Sequence, residues 1–373
     1  MLYFAGEDWF FVSHFLSVAA AAREAGFETA VVTRLRDPAH ARTIRAAGVR
    51  LIETVHERGH LGPLRVFSHV LGFARILRAE KPAVLHLISL RLILLGAVAG
   101  ILTGSRRRVH AVTGLGFLGA SRTPASRALR AVFGFLLRWP LGGARVQYVF
   151  ENEDDPALLG MSAGGPRVTI VGGAGVDAAQ FTPAPFGPSP PLRAALVARM
   201  VESKGVAVAV EAVRRLRAGG VDITLSLYGL PDNDNPRSIS AETLRRWSAE
   251  PGIFWHGQTK DIAAVWRAHH LACVPSLGGE GLPRSLLEAA ACGRAVVTTD
   301  TPGCRAFVRD GVEGFVVAPG DPAALAAALA AFVNAPALME SLGAGARARL
   351  LDGFTSEKVA ENFVALYRRM LAQ

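Results

Sequence analysis

The chain of 373 residues is half apolar and long enough for two domains, which excludes a disordered or fibrous protein. Its net charge of +10 is unevenly spread: between residues 59 and 150 the acidic residue is Glu80, against about a dozen Lys and Arg. The three cysteines, Cys273, Cys292 and Cys304, lie in or beside apolar runs without metal-type spacing and read as reduced, buried thiols of a cytosolic protein.

The first residues are acidic at Glu7 and Asp8 and carry no basic run, so they do not read as a signal peptide. Strands are expected at 2–5, 28–32, 50–53, 83–87, 108–113, 145–150 and 168–171. Helices are expected at 12–25, closed by Gly26, and at 64–80, ended before Pro82, with others between most strands. The apolar run 92–102 has about half of the roughly 20 residues a membrane span needs and reads as a buried helix. A Pro-rich stretch, 181–191, reads as a linker. The alternation then restarts, with strands at 192–198, 223–228, 253–256, 271–275, 295–299 and 314–317. Helices are expected there at 203–218, 260–269, 283–291 and 322–333.

The pattern predicts an α/β protein of two doubly wound, Rossmann-like domains facing a central ligand cleft. The first spans 1–180, the linker 181–191 and the second 192–354. A last helix, 355–373, is expected to pack back on the first domain.

Chemistry concentrates in Gly278-Gly-Glu-Gly-Leu-Pro-Arg-Ser-Leu-Leu-Glu288, which follows a buried strand and opens a helix. A helix N-terminus after a Gly-rich turn suits an anion. Carboxylates in the same segment, Glu280 and Glu288, suit hydroxyls, because each ionised oxygen accepts hydrogen bonds. A sugar nucleotide meets both demands. The alternative is that Glu280 caps the helix and Glu288 is solvated. The segment Ala198-Arg-Met-Val-Glu-Ser-Lys-Gly205 brings Arg199 and Lys204 to another helix start, where the helix dipole disfavours cations unless an anion is to be held.

Weaker signals are set aside. Gly114-Leu-Gly-Phe-Leu-Gly119 matches a dinucleotide fingerprint literally, but it lies outside the first strand–helix unit and reads as a flexible acceptor loop. Asp232-Asn-Asp234 reads as a solvated turn, His110 as packed inside its strand, and Trp9, Phe10 and Phe11 as either core or acceptor site. The basic first domain reads as a face for an anionic lipid surface rather than nucleic acid, because few aromatics are placed for base stacking.

Glu280 and Glu288 with seven residues between them, together with Arg199, Lys204 and Gly205, resemble the retaining glycosyltransferases of family four, which have the GT-B fold. Asp8-Trp-Phe-Phe-Val-Ser-His14, Gly114-Leu-Gly-Phe117, Asn152-Glu-Asp-Asp155, Gly175-Val-Asp177 and Pro302-Gly-Cys-Arg305 resemble the bacterial subgroup that extends undecaprenyl-diphosphate-linked sugars. The resemblance implies that Arg199 and Lys204 bind the donor diphosphate. Glu280 would meet the donor sugar, helped by the amides of Gly281 and Leu282, and Glu288 would hold the ribose. His14, Thr113, Gly114 and Asn152 would lie near the acceptor or cleft. The uneven charge, rather than the resemblance, places Arg106, Arg107 and Arg108 on the membrane surface. Two departures stand out. Thr113 occupies the place where many relatives carry a histidine, and Ser13-His14-Phe15 lacks the arginine usual after the histidine.

The implied donor is a UDP-sugar and the implied acceptor a polyprenyl-diphosphate-linked sugar, with no metal and no other cofactor. The implied location is the cytoplasm, peripheral on the membrane. A GT-B sugar-nucleotide epimerase and a non-catalytic sugar-nucleotide-binding subunit are the alternatives.

Overall fold

Strand segments such as Ala30–Thr33 and Leu85–Ile88 are buried along their whole length, as parallel strands covered on both faces must be. The computed structural model describes residues 1–55, 62–121, 123–333 and 335–372. The chain divides into two units, Met1–Gly175 with Ser356–Gln373, and Val176–Thr355.

The first unit opens with β1 (Leu2–Phe4), α1 (Asp8–His14), α2 (Leu16–Glu24), β2 (Ala30–Thr33), α3 (Pro38–Ala46) and β3 (Arg50–Glu53). It continues with α4 (Pro63–Glu80), β4 (Leu85–Ile88), α5 (Leu90–Leu102), β5 (Arg108–Val112), α6 (Phe117–Ala120) and α7 (Pro124–Arg138). It runs on through β6 (Val146–Phe150), α8 (Asp155–Leu158) and β7 (Val168–Ile170). These strands form a parallel sheet in the order β3-β2-β1-β4-β5-β6-β7. One face carries α4, α5 and α7, through Phe73, Leu92 and Phe133. The other carries α1, α2 and α3, through Phe11, Val18 and Ile44.

The second unit contains β8 (Leu192–Val197), α9 (Val206–Ala218), β9 (Ile223–Tyr228), α10 (Ala241–Ser248), β10 (Ile253–Gly257) and α11 (Ile262–Ala268). It goes on with β11 (Leu271–Val274), α12 (Arg284–Ala291), β12 (Ala295–Thr299), α13 (Pro302–Arg305) and β13 (Gly314–Val317). It ends with α14 (Pro322–Ala330) and α15 (Pro336–Gly353). Its strand order is β10-β9-β8-β11-β12-β13. The last helix, α16 (Ser356–Ala372), belongs to the first unit, where it packs along α2 and Tyr367 bonds to His86 Nδ1 at 2.7 Å.

In both sheets the strand order reverses beside the first strand, at β1/β4 and at β8/β11. Loops leaving the carboxyl ends of those neighbouring strands diverge to opposite faces and leave a crevice, the usual ligand position in such sheets.

Several local features depart from the sequence reading. The helix expected at 12–25 is two helices, broken where Phe15 leaves helical geometry and tucks its ring against His86. Its first turn begins at Asp8, whose buried carboxylate accepts from the amides of Arg36 and Asp37 at 2.8 and 2.9 Å. The helix expected from 203 starts at Val206, after a 3₁₀ turn over Glu202–Lys204. The sequence reading has no element at α10 or α15. The stretch 181–191 is not a free spacer, because Phe181 is buried and Arg294 donates to Ala184 O at 2.8 Å while lying over the Phe186 ring. All three cysteines are buried thiols.

Candidate active site

The loops after β8 and β11, at the strand-order reversal of the second unit, hold the motif residues together. β8 and β11 are hydrogen-bonded neighbours, so the chain leaves them side by side. Ser203 O accepts from the Leu277 amide at 2.8 Å and ties one loop to the other. Gly205 is needed at this crossing: its φ is +68°, and a Cβ there would meet Pro275 O at 1.9 Å.

Lys204 Nζ forms an ion pair with Glu280 Oε2, and the other carboxylate oxygen accepts from Ser276 Oγ at 2.7 Å. The two charged side chains are 19% and 18% exposed, so they are reachable from solvent yet held. Glu280 therefore does not cap α12, whose N-cap is Pro283, a residue with no oxygen on its side chain. Gly303, at the start of α13, packs on the same turn so tightly that a Cβ would meet Gly281 O at 2.1 Å. That contact gives the glycine of the Pro302-Gly-Cys-Arg305 motif a physical reason.

Glu288 is not solvated either. It lies in α12 at 8% exposure, its carboxylate 2.9 Å from Arg284 Nε one turn earlier. Burial pushes its carboxyl up from the usual range, and the Arg284 guanidinium works against that shift. Leu282, between these acids in the sequence, is buried in the apolar cluster of the second unit.

Arg199 stands apart from this pair and binds Asp232 in the loop after β9. Asp232 is thus no solvated turn residue: its carboxylate is 13% exposed and its amide donates to Ser238 Oγ at 2.8 Å. The two loops are zipped further by Met200 N to Leu230 O and Ile239 N to Met200 O, at 3.0 and 2.8 Å. This brace was missed in the sequence, although Asp232 was visible there as part of an Asp-Asn-Asp turn. Among the described residues no group of three or more His, Cys, Asp and Glu could hold a metal ion.

In the first unit the candidates scatter over several loops. His14 ends α1, its ring stacked on Phe10 at 4.2 Å and its Nδ1 2.7 Å from Ser13 Oγ. Of the aromatics before it, Phe11 is core, whereas Trp9 and Phe10 are half-buried. Thr113 and Gly114 follow β5, half-buried, with Gly114 at a φ of +108°. Asn152, expected near the acceptor or cleft, follows β6. It is buried, its amide donates to Asp155 Oδ2 at 3.0 Å, and its carbonyl oxygen accepts from the Asp155 amide at 2.9 Å. It organises its own turn.

The basic triplet is also corrected. Arg106 is exposed, but Arg107 Nε donates to Met370 O at 2.8 Å and so clasps α16. Arg108, the first residue of β5, is buried and donates to the carbonyls of Ser105, Leu141 and Gly142. Of the three, Arg106 is exposed, Arg107 half-buried and Arg108 buried, so they do not form one exposed basic cluster.

Comparison with known proteins agrees with this architecture. The fold is GT-B, two Rossmann-like units. Anabaena Alr3699/HepE, solved in complex with UDP and glucose, superposes with a TM-score of 0.73 over 98% of both chains at 16% identity. Sucrose-phosphate synthase from Thermosynechococcus elongatus gives 0.76 over 100% of this chain and 99% of its own, at 19% identity.

Residues 192–335 match the model of the glycosyl transferases group 1 family, and residues 1–145 match the glycosyl transferase 4-like model. Both matches are to models of glycosyltransferase domains, one in each unit of the chain. The putative colanic acid biosynthesis glycosyltransferase WcaL of Salmonella typhimurium is 31% identical over 54% of this chain and 51% of its own. The phosphatidyl-myo-inositol mannosyltransferase of Mycobacterium leprae is 34% identical over 39% of this chain and 38% of its own. The chain thus spans about half the length, or less, of these curated relatives.

Proposed function

We propose that the chain is a retaining glycosyltransferase that moves a hexose or N-acetylhexosamine from a UDP-sugar to a polyprenyl-diphosphate-linked sugar during synthesis of a cell-surface glycan. The observation that carries this reading is the cluster of Lys204, Glu280 and Ser276 at the β8/β11 reversal, with Glu288 and Arg284 one helix turn deeper. Arg199 and Lys204 would neutralise the diphosphate as the bond from the anomeric carbon to its oxygen breaks. The acceptor oxygen would bond to that carbon from the same face and pass its proton to the departing diphosphate oxygen on that side. Glu280 and the Gly281 and Leu282 amides would orient the sugar, and Glu288 would accept from the ribose hydroxyls.

The acceptor is assigned to the first unit, with His14 at the end of α1 and Thr113 and Gly114 just after β5. Two relatives with polysaccharide or lipid glycosylation in their names, and a UDP-bound structural neighbour, support the donor class and the pathway type. The acceptor is presented at a membrane, so the enzyme would act as a peripheral protein on its cytoplasmic face. No helix of the described residues is long and apolar enough to cross a membrane.

The test is a panel of UDP- and GDP-sugars, with released nucleotide as readout, without acceptor and with a polyprenyl-diphosphate-linked sugar. UDP release stimulated by that acceptor is expected. Release without transfer, or isomerised donor, would favour the epimerase, and binding without turnover the non-catalytic subunit.

A further inference from the structure

The two helical layers of the first unit differ in what they show to water. On the face formed by α1, α2, α3 and α16, one large apolar side chain, Leu371, is exposed among the described residues. On the opposite face each long helix turns apolar residues outward. α7 does so from Leu129 to its C-terminal end. Ser126, Phe133 and Leu137 point inward, whereas Leu129, Val132, Phe135 and Trp139 lie outward at 53%, 53%, 54% and 72% exposure. α5 adds Val98, Ile101 and Leu102, and the first turn of α4 adds Leu64, Val66 and Phe67. So much outward apolar surface on one layer marks an interaction surface rather than the scattered singles common on any protein.

Charge identifies the partner. α4, α5 and α7 contain one acidic residue, Glu80, and it is paired with Arg50. Arg75, Arg78 and Arg127 are exposed on α4 and α7. Arg127 and Arg138 share one border of the α7 apolar stripe, being three helical turns apart. A second copy of this chain would bring like charges together on such a face, and a neutral protein partner would leave them unmatched. Outward aromatic and aliphatic residues bordered by arginines make the pattern of a helix lying in a lipid headgroup layer.

We propose that the α4/α5/α7 face of the first unit, led by α7, docks on an anionic lipid bilayer, with Phe135 and Trp139 entering the headgroup–acyl boundary. This deepens the membrane reading of the proposed function and rests on it, and it replaces the Arg106–Arg108 triplet as the contact. The contact would be part electrostatic and screened by salt, and part apolar and not screened.

The test uses the full chain and vesicles of phosphatidylcholine, with and without phosphatidylglycerol. Wild type should co-sediment with the anionic vesicles and retain part of that binding at high salt. Phe135→Ser with Trp139→Ser should weaken it at least tenfold, with thermal unfolding and UDP-sugar hydrolysis unchanged because those side chains are exposed. Vesicles should also shift Trp139 emission to the blue, a change absent in Trp139→Phe. Unaltered binding of the double variant, or no binding of wild type to either vesicle, would overturn the proposal. So would a dimer in solution that the double variant dissolves. Transfer to the polyprenyl acceptor in detergent checks the acceptor separately: none there, with vesicle binding intact, would sink the acceptor and leave the surface standing.

Discussion

Lys204 and Glu280 are ion-paired across the loops that leave neighbouring strands β8 and β11, with Ser276 holding the second carboxylate oxygen. The two charges neutralise each other. Under the proposed function, an arriving diphosphate would compete for Lys204 and a sugar hydroxyl would take the carboxylate oxygen so released, so that binding of one end of the donor would prepare the other.

It follows that Lys204→Ala should slow transfer roughly a hundredfold or more, the scale for losing one group aimed at developing charge. The loss should fall on kcat more than on KM, because the charge grows as the diphosphate leaves. Arg199→Ala should cost a similar factor. Steady-state kinetics on both variants decides the point, and wild-type turnover in Lys204→Ala would remove the leaving-group assignment.

Asp232 holds Arg199 in place, so Asp232→Asn should lower kcat by about tenfold to a hundredfold through misplacement of one cation. Asp232→Glu should recover part of it, whereas Asp234→Asn should behave as wild type. Because Arg199 occupies the Asp232 carboxylate, activity is expected to survive EDTA. Loss with EDTA and recovery with manganese would show instead that Asp232 and Asp234 serve a metal.

Strands β3, β9, β12 and β13 were legible in the sequence to the residue, since their β-branched or apolar runs are bounded by turn formers. Glu280 and Glu288 were legible as a pair because a strand, a glycine turn and a helix fix their spacing. What stayed hidden depends on contacts distant in sequence. The Asp232 brace spans a gap from residue 199 to 232, and no periodicity reports it. The burial of Arg108 arises because β5 begins there and the carbonyls of Leu141 and Gly142 come to meet it. The apolar, basic character of the α7 segment is legible in the sequence, but which of its faces stays outward is not, because periodicity does not say how many faces are covered.

Glu288→Gln tests the ribose contact. Its carboxyl is raised by burial, with Arg284 opposing. A neutral amide keeps the volume but loses one acceptor oxygen and the charge. Donor KM should rise about tenfold to a hundredfold, the range for a hydrogen bond to a charged group, while kcat changes less. The raised carboxyl gives a sign as well: wild-type donor affinity should weaken on acidification sooner than for an ordinary carboxylate, and Glu288→Gln should lose that acid limb. A pH profile of donor KM that is the same in both proteins would count against the role.

The last prediction concerns the first unit in acid. His86 and His110 are fully buried, and burial lowers both to about 3, with the Arg108 charge also acting on His110. Their folded values lie below the unfolded value of roughly 6.5, so each contributes stability above pH 6.5 that is lost as the pH falls toward 3. The rate is about 1.4 kcal/mol per pH unit for each histidine, because the unfolded chain takes up a proton the folded one refuses. Asp155 runs the other way. Burial raises it to about 6, so the folded unit keeps a proton that the unfolded chain releases between about pH 4 and 6. Within that window Asp155 offsets one histidine. Asp155→Asn should therefore steepen the acid loss by about one proton, and His110→Leu should flatten it by about one. Urea midpoints across pH 4 to 7, read by pulse proteolysis with fragments assigned to each unit, measure both slopes. Equal slopes in wild type and His110→Leu would mean that His110 does not stay neutral in the folded sheet.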